Sequence, residues 1–214
     1  MMKFVRPFII ILALAFSSLA CFSVSTKSAP SDVLFSDDFA TTDKEWDQVN
    51  ITSASTDYYN NAYRIIVNDT NTDAWANPAK QSFTDVHIEV DATKNSGPDD
   101  NDFGIICRYT DTDQFYYAVI SSDGYYGIMK MTSNGGVPIG NENLLESGEI
   151  SQGSATNHIR FDCVGSALTL YINGIQIDQK TDIDFTTGNV GLIAGTFDTA
   201  GTDIIFDNFF VYKP

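Results

Sequence analysis

The sequence predicts an all-β fold, a two-sheet antiparallel jelly-roll sandwich, and three observations carry that prediction. Apolar and polar residues alternate with a period of two in many short runs. Turn-forming Gly, Asn, Asp and Ser bound those runs. Beyond the first twenty residues, no segment carries a capped apolar stripe of helical period. Many short antiparallel strands in one stretch of roughly 180 residues fit two packed sheets around one core.

The first expected strand lies near Leu34 and the next runs from Tyr63 to Val67. Val86-His87-Ile88-Glu89-Val90-Asp91 alternates cleanly, as a strand with one wet face must. Asp102 to Tyr109, Phe115 to Ser121 and Tyr125 to Met131 form a meander, turned at Asp111-Thr112-Asp113 and Ser122-Asp123-Gly124. Ile159 to Val164, Leu168 to Ile172 and Ile175 to Asp178 follow, with Asn173-Gly174 as a two-residue hairpin turn. Val190 to Phe197 and Asp203 to Tyr212 close a set of about a dozen strands. No internal repeat of fixed period is present.

The first twenty residues read as an export signal. Lys3 and Arg6 precede an apolar run from Phe8 to Ala15, and small residues lead up to Cys21. The run is shorter than the roughly 20 apolar residues that a spanning helix needs. The mature chain is expected to start at or near Cys21, either with lipid on its thiol or after ordinary cleavage. A lipid-attachment motif usually has Leu three places before the cysteine, where this chain has Ser18, with Leu19 one place late. Residues 21–32 form a small, polar tether, and the domain occupies 33–214.

Loss of residues 1–20 removes two basic and no acidic residues, taking the formal charge from −16 to −18. Binding to nucleic acid phosphates is excluded on that balance, and an anionic membrane surface would repel the domain. Membrane attachment is therefore expected only through an N-terminal lipid. Aspartate outnumbers glutamate 23 to 5, which suits turns and hard oxygen ligands better than helices. Of the three cysteines, assignment of Cys21 to lipid leaves Cys107 and Cys163, either as a disulfide in an oxidising compartment or as two buried thiols.

Three sets of residues resemble those of the concanavalin A-like lectin/glucanase superfamily, closest to its laminin-G-like and 3-keto-disaccharide-hydrolase-like branches. They are Leu34-Phe35-Ser36-Asp37-Asp38-Phe39 with Trp46, then Asn157-His158-Ile159-Arg160 leading to Leu168-Thr169-Leu170-Tyr171-Ile172-Asn173-Gly174, and finally Phe206-Asp207-Asn208-Phe209. The resemblance implies the jelly-roll fold over residues 33–214. It also implies calcium between the first and last strands, at Asp38 and Asp207, where the alternative is carboxylates held by hydrogen bonds. It does not assign function, because one fold hosts many activities.

Glu89 and Asp91, two apart on one strand with His87, are the nearest match to the acid and nucleophile of a laminarinase, but Thr93 stands where that pattern has another Glu. Asp69, Asn71 and Asp73 mimic the start of an EF-hand loop without its Gly or closing Glu. Asp99-Asp100-Asn101-Asp102 reads as a solvated turn. Trp75, in a polar stretch, Arg108, and one ring each from Tyr116-Tyr117 and Tyr125-Tyr126, taken as Tyr117 and Tyr126, are the candidate ligand-binding residues. Sugars stack on such rings while polar groups bind their hydroxyls, although the rings could equally fill the core.

The function expected from these features is an exported, non-catalytic β-sandwich that binds carbohydrate, a neutral glycan in particular, or another extracellular ligand. The alternatives are a glycan-processing hydrolase of the 3-keto-disaccharide type and a protein-binding adhesion or structural domain.

Overall fold

The structure is a computed structural model and describes residues 32–214. The expected export signal, Cys21 and all but the last residue of the tether lie outside the described residues. Every regular element among those described is a strand. In chain order these are β1 (Val33–Asp37), β2 (Val49–Asn50), β3 (Ala54–Tyr59), β4 (Ala62–Val67), β5 (Thr72–Ala76), β6 (Val86–Ser96), β7 (Asn101–Asp111) and β8 (Gln114–Ile120). They continue with β9 (Tyr125–Thr132), β10 (Gly135–Pro138), β11 (Leu145–Glu146), β12 (Asn157–Val164), β13 (Ala167–Ile172), β14 (Ile175–Thr181), β15 (Asn189–Thr196) and β16 (Thr202–Tyr212).

The strands form two antiparallel sheets. The larger runs β14-β13-β12-β6-β16-β4-β3-β2, with β1 also paired to β16, and the smaller runs β10-β9-β8-β7-β15-β5, with β11 paired to β9. Chain neighbours often pair, as in β7-β8-β9 and β12-β13-β14, while β6, β15 and β16 are inserted from far along the chain. This is the expected two-sheet sandwich. Alternation decides which side chains enter it: Ile88, Val90 and Ala92 of β6 point inward and are fully buried, while Glu89 and Asp91 face water. Ile65, Phe161, Leu170 and Phe206 of the larger sheet meet Phe103, Ile105, Tyr116, Ala118 and Leu192 of the smaller one in a single core. Cys107 of β7 and Cys163 of β12 are joined by a disulfide, a bond between the two sheets.

Five strands were not expected from the sequence: β2, β3, β5, β10 and β11. They are short or polar, and most lie at or near sheet edges where only one flank is paired, so little apolar alternation marks them.

The smaller sheet is apolar on its outer face as well. Ile106, Phe115, Tyr117, Val119, Met131 and Ile193 form a second buried cluster, partly covered by Trp75, Tyr109, Met129 and Leu144. Leu144 comes from the loop before β11 and lies over Gly127, where a Cβ would collide with it. That loop covers part of the outer face and helps to line a cleft on it.

Candidate functional site

Trp75 stands on β5, the edge strand of the smaller sheet. Its ring packs on Phe115 with centroids 5.5 Å apart and is only half-buried. Beside it, between β5 and the β2–β3 end of the larger sheet, lies a cleft of about 380 Å³. Asp47, Gln48, Thr56, Thr72, Asp73 and the exposed Ile51 share its wall with Trp75. An accessible indole among carboxylate, amide and hydroxyl groups is the chemistry that grips a sugar.

Two residues before Trp75 on the same side of the strand, Asp73 leans toward Asp102 of β7. The strand between them is β15, and its Gly195 is paired with both. A Cβ on Gly195 would collide with one carboxylate oxygen from each, so the two carboxyl groups meet over bare backbone. Asp102 is 9% exposed, and its Oδ1 has no hydrogen-bond partner. Burial, followed by the charge of Asp73, pushes the Asp102 carboxyl well above the usual carboxylate range. Asp73 keeps contact with water at the sheet edge, and desolvation pushes it up too. Tyr117 nearby is raised by burial and then by these two carboxylates.

A second cleft, of about 510 Å³, is lined by Asp100, Ser121, Asp123, Tyr125, Asn143, Leu144 and Phe197. Tyr125, an exposed ring, is the outward member of its pair.

The four expected ligand-binding residues do not converge. Trp75 and Tyr117 share the outer face of the smaller sheet, with Tyr117 buried as a member of the cluster that Trp75 covers. Tyr126 turns inward and packs in the main core. Arg108 is 2% exposed and sits at the opposite end of β7 from Asp102, with its donors on backbone carbonyls: Nε to Thr84 at 3.2 Å, Nη1 to Phe185 at 2.9 Å and Nη2 to Gly165 at 2.8 Å. Strand alternation would aim Arg108 outward with Ile106. A bulge, with Arg108 at φ 55°, turns it to the end of the sandwich instead.

Asp38 is exposed and its Oδ1 accepts the Ala40 N–H at 3.1 Å, while Asp207 Oδ1 accepts the Asn208 N–H at 2.7 Å. The buried carboxylate of the Asp-Asp-Phe motif is Asp37. Glu89 and Asp91 lie on the outer face of the larger sheet in a lattice of ion pairs. His158 is 2.8 Å from Asp91 and 3.7 Å from Glu89, and Arg160 is 3.8 Å from Glu89. Asp73 belongs to a strand, not to an EF-hand-like loop, and Asp102 lies within β7, not in the turn before it. Sequence reasoning missed the Asp73–Asp102 pair because its members are distant in the chain, and only the strand order brings them together.

No protein-family model matches the sequence, and no curated protein does. Solved structures do match in shape. A carbohydrate-binding module, CBM66 from Bacillus subtilis, superposes with a TM-score of 0.63 at 16% identity, over 78% of this chain and 95% of its own. The Bacillus licheniformis β-glucanase gives 0.60 at 12% identity, over 84% and 98%. A Bacillus subtilis protein of unknown function with a galectin-like fold gives 0.58 at 10%, over 84% and 95%. The fold is a concanavalin A-like jelly roll. At these identities the likeness establishes the fold alone.

Proposed function

We propose that this jelly roll is a non-catalytic carbohydrate-binding domain, and that the cleft beside Trp75 takes a neutral glycan. The observation that carries the reading is the half-buried Trp75 ring, packed on Phe115 beside a cleft that mixes apolar with polar side chains. The neighbouring folds, a carbohydrate-binding module among them, support a carbohydrate ligand over other classes. The acidic surface disfavours anionic sugars, leaving uncharged rings that bind by stacking. Glu89 and Asp91, the residues nearest to a laminarinase pattern, are occupied by histidine and arginine partners, which favours binding over hydrolysis.

The domain works outside the cell in this reading. The leader exports it, and lipid on Cys21 holds it at the extracellular face of the membrane.

A glycan array followed by calorimetry tests the binding. Trp75→Ala should weaken glycan binding at least tenfold, in line with about 1.4 kcal/mol per decade of affinity. It should lower the melting temperature only modestly, since the ring covers part of the outer cluster but is not in the main core. A wild type that binds no glycan, together with a Trp75→Ala variant that melts far lower, would give the ring to the core and the domain to a protein-binding or structural role. Turnover of disaccharides by the wild type would give it to the hydrolases.

A further inference from the structure

We infer that Asp73 and Asp102 form a binding site for a hard divalent cation, calcium in particular, on the outer face of the smaller sheet. Three independent features point to it. The first is convergence: two carboxylates from strands that are not adjacent incline over the one residue between them. That residue is a glycine in ordinary strand conformation, so its missing side chain serves space, not backbone freedom. Any other residue at 195 would drive the two groups apart.

The second is the unanswered oxygen. Asp102 is about nine-tenths buried, yet no donor among the described residues reaches its Oδ1. Oδ2 of Asp178 is also unpartnered among the described residues, but its Oδ1 lies 3.1 Å from Lys180 Nζ, and other buried carboxylates are served by donors. Asp203 accepts from Arg64, Asn95 and Ser96, Asp37 from Trp46 and Phe39, and Asp182 from Lys130 and Tyr116. Among the described residues no Lys, Arg or His forms an ion pair with Asp73 or Asp102. A buried carboxylate left without a donor, with a second carboxylate against it, is relieved by taking up a proton or a cation.

The third is ligand chemistry. The approaching atoms are carboxylate oxygens, with no cysteine or histidine beside them, which suits calcium and excludes the softer metals. Among the described residues no third carboxylate joins the pair. Waters must complete the coordination, so the affinity belongs in the range of weak extracellular sites, a dissociation constant of roughly 0.1–1 mM. Since Asp73 also lines the Trp75 cleft, the ion would sit next to the proposed ligand, but its binding needs no glycan.

Calcium titration by calorimetry, with thermal melts in calcium and in chelator, decides the matter on the wild type and on Asp102→Asn, Asp73→Asn and Asp207→Ala. We expect the wild type to bind calcium and to melt several degrees higher in 10 mM calcium, as mass action on a native-state site requires. Both effects should vanish in Asp102→Asn, fall in Asp73→Asn and survive in Asp207→Ala. Asp102→Asn is isosteric and removes a buried charge, so in chelator it should melt no lower than the wild type, which separates loss of the site from loss of the fold. A wild type with no response to calcium, or an undiminished response in Asp102→Asn, overturns the assignment. A response lost only in Asp207→Ala would place the ion between the first and last strands instead.

Discussion

The indole N–H of Trp46 donates to Asp37 Oδ2 at 2.9 Å, fastening the loop after β1 to that strand at the point where it enters the core. The other oxygen of Asp37 accepts the Phe39 N–H at 2.8 Å. Around this pair Trp46 packs on Phe39, Tyr63 and Phe209, with ring centroids 5.1–5.4 Å apart. The motif Asp-Asp-Phe with a following Trp is therefore a structural latch. Asp37→Ala would leave two buried N–H groups without an acceptor, a loss of about 2–3 kcal/mol, whereas Asp37→Asn keeps one acceptor oxygen and should cost less. Urea denaturation of the two variants measures the difference.

The bond between Cys107 and Cys163 closes a loop with a sequence separation of 56 residues. A covalent tie of that span restricts the unfolded chain and contributes about 4 kcal/mol in the chain-entropy model. Both sulfurs lie between the sheets in the fully buried core. Native protein should therefore resist reduction until it unfolds, and the Cys107→Ala/Cys163→Ala double variant should melt well below the wild type. Mass spectrometry of non-reduced protein should find the chain two hydrogens lighter than its dithiol. Free thiols in protein folded in an oxidising compartment would contradict the pairing.

Much of this fold was legible in the sequence because the core strands are long and alternate. Val86 to Asp91, Ile159 to Val164 and Asp203 to Tyr212 all lie in strands of the larger sheet. Cys107 and Cys163 could be placed on the apolar side of their strands by register alone, which put a disulfide within reach. The site was only half legible. Trp75 was visible as a ring in a polar stretch, but the edge strand that carries it was not, since Thr72-Asp73-Ala74-Trp75-Ala76 has little β signal of its own. For Arg108 the misreading was local: a single bulge reversed the side that alternation assigned. For Tyr126 it was the opposite case, where alternation held and sent the ring into the core while Tyr125 stayed outside.

Two carboxylates should give the stability profile opposite slopes. Burial pushes Asp203 up, but hydrogen bonds from Arg64 at 2.8 and 2.6 Å, with Asn95 and Ser96, outweigh it and hold the carboxyl below the usual range. The folded state then binds its proton less readily than the unfolded one. Its contribution is complete above the unfolded value of about 3.9 and is lost as the pH falls through the folded value. Asp102 has the opposite sign, since its folded value is raised by burial and by Asp73. The folded state holds that proton longer, so this contribution is present below about pH 3.9 and is lost as the pH rises through the folded value. Melts across pH in chelator should show Asp102→Asn flattening the decline on the neutral side. Asp203→Asn should lower stability at pH 7 by about 1.5–3 kcal/mol, the range for hydrogen bonds to a charged group, and soften the fall in acid.

Arg108 should behave as a clamp and not as a ligand residue. Its guanidinium ties three separate segments together through Thr84, Phe185 and Gly165, and it lies 3.4 Å from Asp85, whose Oδ1 in turn accepts the Gly165 N–H at 2.8 Å. The backbone pays attention to this geometry too: Gly188 packs against the carbonyl side of Arg108 and Tyr109 so closely that no Cβ would fit there. Arg108→Met would keep the volume but strip three carbonyls of their donors, a loss of roughly 1–3 kcal/mol for each carbonyl that stays buried and unsatisfied. Arg108→Lys should recover only part of it, because a point charge with three donors cannot span the planar fork. Where these variants remain folded at low temperature, glycan affinity should match that of the wild type, since the guanidinium lies away from the Trp75 cleft. The reverse pattern, unchanged melting with lost binding, would return Arg108 to the ligand site and require the outer end of β7 to take part in recognition.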